Sequence, residues 1–453
     1  MNKVNWFKIM GSSILVSIAC LDPGNLLGDI NVAQEMSYKG IWVITMAHIL
    51  LYFFQELAFV VSCKSGNDLG QLIRLNYQSK TKYFIWLSSE LAIISADIQE
   101  VLGAVIAFNL LTGISNLVGI PIIIVVVMLI LFLQEFGQKA FEFSFLIMVA
   151  VMGISFIVNF ILSKPDWEPF FGGFIPSVPR SWEFTAVIGS IIMPQNIFLQ
   201  SSLVQTRMHL KHPTKTFIKI FKIETMFILF VSCLINIALT STFADPKYAD
   251  EKIDLEDVHT ELAKYLPACS FYFWAFGLLA SGISSTGSGA LTGQYLMDGI
   301  FNLRISRIKR VLITRLITLV PCYLIVVFLD VNRIMSLLNI IQFVQLPFVI
   351  VPLLKFSCSE KIMVGKTYKR GKIIFLIICS VVLQLINIYS IGAVISDFNL
   401  YFKLLVILLI ILQFVFITYL AYTKIEESSD NWTKEQGQLP DTVSSSKEAL
   451  MDN

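Results

Sequence analysis

Apolar residues run along this chain in blocks of about 20, separated by short polar segments. A helix of that length crosses the ~30 Å hydrocarbon layer of a bilayer. Backbone polar groups have no water to bond there, so such blocks must be helices that satisfy themselves. Twelve spans are predicted, at 7–34, 40–63, 83–112, 118–134, 143–163, 182–208, 217–243, 270–300, 308–329, 334–354, 372–391 and 399–422. Residues 424–453 are polar and Ser-rich and predict a disordered tail. The fold class expected is an all-α polytopic membrane protein.

Two spans are interrupted. The first reads VSIACLDPGNLLGDI, with Asp22, Pro23, Gly24 and Asn25 in the middle of an apolar run. Proline removes a backbone donor, glycine adds freedom, and an aspartate at that depth costs several kcal/mol (about 3 on insertion scales) unless a partner offsets it. A satisfied polar kink is the bland alternative, but these four residues together are an expensive way to make one. The sixth span reads TAVIGSIIMPQNIFLQSSLVQTR, broken at Met193, Pro194, Gln195 and Asn196. A lone membrane methionine usually only packs; the adjacent proline and the matching break raise its standing. Breaks five spans apart predict two inverted five-helix repeats with a midplane site between discontinuous helices. No internal sequence repeat accompanies them.

The donors at the two breaks differ in kind. Asp22 and Asn25 offer hard oxygens and one charge, and Met193 offers a soft thioether. Oxygen alone suits Mg²⁺ or Ca²⁺, whereas added sulfur shifts preference toward softer transition metals.

Charge then orients the chain. Basic residues gather in the loops after the second span (Lys64, Arg74, Lys80, Lys82), the sixth (Arg207, Lys211, Lys215, Lys219), the eighth (Arg304, Arg307, Lys309, Arg310) and the tenth (Lys355, Lys361, Lys366, Lys369). The loop after the seventh is acidic, with Asp245, Asp250, Glu251, Asp254, Glu256, Asp257 and Glu261. The positive-inside rule therefore places both termini in the cytoplasm.

Composition agrees. Of 453 residues, 56% are hydrophobic and 15% charged, with a mean hydropathy of +0.73, too little charge to wet a soluble domain of this size. A net charge of +2 excludes a strongly basic nucleic-acid binder. Seven cysteines without ligand spacing read as small buried hydrophobes. The N-terminal apolar stretch runs into a polar break and further helix, so it is read as a span and not as a signal peptide.

The third span carries Glu90, Asp97 and Glu100 at i, i+7 and i+10, roughly one helix face. Intramembrane carboxylates usually line proton or ion paths. Alternatively they pair with basic residues of neighbouring helices; Arg207, Arg310 and Arg315 are the candidate partners. His48 reads as a packing residue, His209 and His212 as solvated loop residues, and His259 as a weak cation attractor at most. The Asn431 sequon falls on the cytoplasmic side, where glycosylation is not expected.

With these residues assembled, the chain resembles the natural resistance-associated macrophage protein (NRAMP) family of divalent metal transporters. Four ordered segments carry the resemblance: DPGN at Asp22–Asn25, MPQN with SSLVQTR at Met193–Arg207, GISSTGSGALTGQYLMDG at Gly282–Gly299, and NIIQFVQLPF at Asn339–Phe348. The resemblance implies a LeuT-type 5+5 inverted repeat over residues 1–356, with two further spanning helices in 357–423. It implies proton-coupled import of Mn²⁺ or Fe²⁺ as cargo, with no resident cofactor. It implies that Asp22, Asn25 and Met193 bind metal by side chain, that Ser190 offers its backbone carbonyl, and that Asn339 joins on occlusion. Asp97 and Glu100 match positions on the family's proton route. The host membrane would be the plasma membrane or an endosomal or vacuolar one.

The chain departs from the family at Gln195, where a histidine linked to gating usually follows Met-Pro. An amide does not titrate near neutral pH, so the coupling and the gate at Gln195 are in question. Ile283 and Gly287 also depart from the eighth-span signature, a drift expected in packing residues. Competing expectations are a same-fold carrier of another cation or small solute, a metal uniporter with weak proton coupling, and a membrane sensor. The short tail speaks against a sensor. Nothing suggests an enzyme.

Overall fold

The computed structural model describes residues 21–132, 138–177, 183–205, 214–248, 253–302, 307–363, 367–395 and 399–423. Their α-helices, in chain order, are α1 (Pro23–Met36), α2 (Ile41–Ser65), α3 (Leu69–Asn76), α4 (Ser79–Thr112), α5 (Asn116–Phe132) and α6 (Gln138–Ser163). They continue with α7 (Trp167–Gly172), α8 (Glu183–Ile191), α9 (Pro194–Gln205), α10 (Thr214–Phe243), α11 (Val258–Tyr265) and α12 (Cys269–Phe301). The last five are α13 (Arg307–Phe328), α14 (Val331–Gln345), α15 (Pro347–Cys358), α16 (Arg370–Val394) and α17 (Leu400–Tyr422). Each predicted span has a helix or helix pair among the described residues; residues 7–20 of the first span and the predicted tail 424–453 lie outside them.

Local chemistry sets the ends. α2 and α4 stop at Gly66 (φ 69°) and Gly113 (φ 71°), and α12 at Asn302 (φ 51°), the left-handed residues that commonly close helices. α3 starts on a capping box: Asp68 Oδ1 accepts from Gln71 N at 2.9 Å, and Gln71 Oε1 accepts from Asp68 N at 3.1 Å. This helix, α7 and α11 lie where the hydropathy pattern predicts loops, because each is too short and too polar to register as a span. The tenth span, predicted continuous, is interrupted at Leu346. Its N–H bonds Phe343 O at 3.2 Å in a tight turn, and Pro347 next to it has no donor with which to continue the ladder.

α4 and α12 form the scaffold and lie against each other along much of their length. The small residues of α12 permit this. A Cβ on Gly282 would stand 2.7 Å from Ala104 Cβ and 2.7 Å from Glu100 O; on the side of α12 that meets α6, one on Gly287 would stand 2.6 Å from the Phe145 ring. The expectation that the eighth-span signature serves close packing holds. Against this scaffold pack the interrupted spans: α1 contacts α4, α8, α10 and α14, while α9 contacts α2 and α12. Burial ranks the helices by depth. The most apolar stretch of Phe184–Gln205 is 100% buried, whereas that of Lys403–Tyr422 is 11% buried and turns its side chains outward.

Among the described residues, eight helical stretches are long and apolar enough to cross a membrane. α12 has the length, but its Gly, Ser and Thr residues lower its hydropathy. Lysines tie α2 to α10 and α16: buried Glu56 pairs with Lys222 and, at 3.1 Å, with Lys372. The six cysteines among the described residues are unpaired.

Candidate functional site

The first break is built by the N-terminus of α1. Asp22 is its cap, with Oδ1 accepting from Asn25 N at 2.8 Å and its carbonyl accepting from Leu26 N at 3.0 Å. The scaffold holds the break from two sides. Ser281 Oγ on α12 donates to Leu21 O at 2.5 Å. Pro23 fits against Gly103 on α4, where a Cβ would lie 2.2 Å from Pro23 Cβ. Asp22 and Asn25 are 1% and 0% exposed, yet among the described residues Asp22 Oδ2 and both side-chain polar atoms of Asn25 find no hydrogen-bond partner. Orphaned buried polar atoms are costly in a folded protein, and several in one place point to a ligand that completes them.

The second break lies between α8 and α9. Ile192 N still bonds Ile188 O at 2.9 Å, and Asn196 N bonds Met193 O at 3.2 Å. The carbonyl of Ser190 would take its helical bond from residue 194, which is proline and has no N–H. Its hydroxyl donates to Val187 O at 3.0 Å, so the backbone carbonyl remains the group released at the break. Met193 is fully buried beside it. The C-terminal pole of α8 carries partial negative charge, which favours a cation. The two breaks approach each other along α1 and α8, where a Cβ on Gly28 would stand 3.0 Å from Val187 and 3.5 Å from Ser190 Oγ.

The tenth span joins the first break. Asn339 Nδ2 donates to Gly24 O at 3.1 Å, and its Oδ1 accepts from Gln99 Nε2 at 2.7 Å. Gln99 Oε1 accepts in turn from Gln342 Nε2 at 2.5 Å. Asn339 is thus placed at the break, but its oxygen is occupied by Gln99 in this conformation. Sequence reasoning missed Gln99 and Gln342. The signal was available: amides at i, i+2 from Asp97 and at i, i+3 from Asn339, inside otherwise apolar spans.

The acids of α4 divide between two environments. Asp97 is paired: Arg315 Nη1 donates to Oδ1 at 2.5 Å and the Thr318 hydroxyl donates to Oδ2, while Arg315 Nη2 donates to Thr286 O at 3.2 Å. Of the three candidate arginines, Arg315 is the one found on the acids. Arg207 lies outside the described residues, and Arg310 lies on α13 in a stretch whose side chains are not described. Glu90 and Asp97 line a cavity of ≈ 10 Å³ with Gly289, Thr314 and Arg315, about the room one water occupies. Glu100 faces the breaks: Gln195 Nε2 donates to its Oε1 at 3.3 Å, and Asp22 lies within electrostatic reach. Its Oε2 has no partner among the described residues.

His48 is the satisfied packing residue expected. His48 is buried, with Nδ1 2.9 Å from Ile44 O and Nε2 3.3 Å from Ser232 Oγ. His259 has its Nδ1 2.6 Å from Glu256 O. His209 and His212 lie outside the described residues. Among the described residues no three His, Cys, Asp or Glu side chains cluster as a metal site. The chemistry at the breaks is instead one carboxylate, one amide, one thioether and a freed carbonyl.

Residues 13–393 match the Nramp family model, described as natural resistance-associated macrophage protein-like. The chain is 36% identical over 396 residues to a metal transporter nramp1 homolog of Dictyostelium discoideum, covering 84% of this chain and 74% of that one. Its fold superposes on a manganese transporter of Eremococcus coleocola with a TM-score of 0.82 and 25% identity, over 93% of this chain and 97% of the other. A nucleobase-cation-symport-1 family transporter in a closed conformation shares the fold at a TM-score of 0.56 and 15% identity, over 95% and 96%. The architecture is therefore the LeuT-type transporter fold that the resemblance implied.

Proposed function

The chain belongs to the Nramp family, and on that premise we propose that it carries divalent transition-metal ions, Mn²⁺ or Fe²⁺, into the cytoplasm together with protons. One observation carries this reading. Two helix breaks packed on one scaffold supply buried Asp22 and Asn25 atoms without partners, a buried thioether at Met193 and a Ser190 carbonyl that Pro194 leaves without a donor. A metal entering there exchanges water for these ligands. Carboxylate and amide oxygens accept most divalent ions; the sulfur of Met193 favours Mn²⁺ and Fe²⁺ over Mg²⁺ and Ca²⁺.

The transport core is residues 1–356, and alternating access is a rocking of α1, α8 and α9 against the α4–α12 scaffold. Asn339 joins the metal when the site occludes, exchanging its bond to Gln99 for the ion. Protons move along Glu90, Asp97 and Glu100, with Arg315 compensating the charge of Asp97 between transfers. Arg207 and Arg310 are further cationic partners proposed for these acids. Gln195 links route and gate through Glu100. The basic loops face the cytoplasm and both termini lie on that side.

A second reading is a metal uniporter with weak proton coupling. Gln195 favours it, because an amide at this position cannot exchange a proton in the physiological range. Uptake of Mn²⁺ into proteoliposomes carrying a pH dye tests both. Asp22→Ala abolishes uptake if the site is assigned correctly, and near-normal uptake refutes it. Acidification that tracks Mn²⁺ entry supports symport; entry without acidification supports the uniporter.

A further inference from the structure

Seven residues beyond Asp22 on the same helix stands a second buried carboxylate, Asp29. It is fully buried, and among the described residues neither oxygen has a hydrogen-bond partner. Its principal charged neighbour is Asp22, of the same sign. A carboxylate buried without a compensating charge is among the most expensive arrangements a protein can hold.

The opposite wall is α10. The two helices pack on each other, and Ser37 Oγ, just after α1, donates to Ala244 O, just after α10, at 2.5 Å. Both helices rise about 1.5 Å per residue, so stepping back eight residues on each brings Asp29 level with Asn236. The Cys233 thiol lies within electrostatic reach of Asp29, which agrees with that register. Cys233, Asn236 and Thr240 follow at i, i+3 and i+7 and share one face. Asn236 and Thr240 are fully buried, and Asn236 Oδ1, Asn236 Nδ2 and Thr240 Oγ1 have no partner among the described residues. Two helices thus bring unpartnered polar groups to one level. On α1 they continue through Asn25, four residues before Asp29, to Asp22. That is a strip about 10 Å long.

We infer that Asp29, Asn236 and Thr240 form a second cation station, which receives a partly hydrated divalent metal ion before it passes to Asp22. This rests on the reading of Asp22, Asn25 and Met193 as the primary site. The station lies on the side of the break where the acidic segment around Asp254 and Asp257 folds back, with Ile253 N donating to Gln34 Oε1 at 3.1 Å. Cations gathered by that segment meet Asp29 first. The donors of the station are oxygens of carboxylate, amide and hydroxyl, while the Cys233 thiol on the same face is engaged with the Thr45 hydroxyl. Such a set takes Mn²⁺, Ca²⁺ and Mg²⁺ alike. Selection is therefore left to Met193, deeper in, and the station raises the local concentration of divalent ions at its entrance.

Binding of Mn²⁺ and Ca²⁺ to the purified full chain, by equilibrium dialysis, tests this. In the Asp22→Ala background one weaker ion per chain remains, it accepts Ca²⁺ as readily as Mn²⁺, and Asp29→Asn on that background removes it. Asp29→Asn alone raises the Mn²⁺ concentration for half-maximal uptake by about threefold or more with maximal rate retained, as loss of a binding step requires. Asn236→Ala shifts it in the same direction, which guards against a folding defect particular to one variant. No residual binding after Asp22→Ala, or unchanged half-saturation in both single variants, overturns the station. Failure of Asp22→Ala to abolish uptake overturns the primary site instead, so the two failures are separable.

Discussion

Gln195 Nε2 donates to Glu100 Oε1 at 3.3 Å, a bond that ties the second helix break to the acidic face of the scaffold helix. Glu100 also feels the charge of Asp22. The proposed metal site and the proposed proton route therefore meet at one carboxylate, and the residue that joins them here is an amide.

Gln195→His places a titratable group on that bond. Imidazole changes charge between about pH 5 and 8, whereas the amide does not. The pH profile of Mn²⁺ uptake steepens across that range in the variant relative to the parent protein. Superimposable profiles would show that position 195 has no part in proton handling.

Met193→Ala removes the sulfur and leaves the oxygens. Mn²⁺ uptake persists at reduced rate, and Ca²⁺ uptake relative to Mn²⁺ rises by about tenfold, ~1.4 kcal/mol of selectivity. Competition between the two ions in proteoliposomes reads this directly. An unchanged ratio removes the thioether from the account.

Arg315→Ala strands Asp97. The side chains are 2% and 5% exposed, so the Asp97 charge is left uncompensated at a cost of about 3–5 kcal/mol. Thermal unfolding of the detergent-solubilised protein shows a lowered midpoint. The double variant with Asp97→Asn recovers part of the loss, because the pair is energetically coupled. A double variant no more stable than Arg315→Ala contradicts that coupling.

Gly103→Ala sets a methyl group 2.2 Å from Pro23 Cβ. Overpacking of this kind costs about 1–3 kcal/mol, and it falls on the residue next to Asp22. Uptake is lost more severely than folded yield, measured by size-exclusion recovery against transport rate. Normal transport would mean that the break does not depend on that contact.

The hydropathy pattern alone determined that the chain is a set of membrane-length helices. It also located two of the breaks, since a proline withholds its donor whatever surrounds it. The residues at those breaks, DPGN and MPQN, carried the chemistry of the candidate site in local order, and so did the acids of the third span. The break at Leu346 and the helices α3, α7 and α11 escaped, being too short or too weakly patterned to stand out. Partnership was not legible at all. Asp97 and Arg315 are 218 positions apart, Gln342 and Gln99 243, and Asn339 and Gly24 315. The station proposed at Asp29 and Asn236 draws on two helices that only packing brings together. Such pairings arise when helices pack, and packing depends on how every apolar face in the chain finds its neighbour, which no local stretch of sequence specifies.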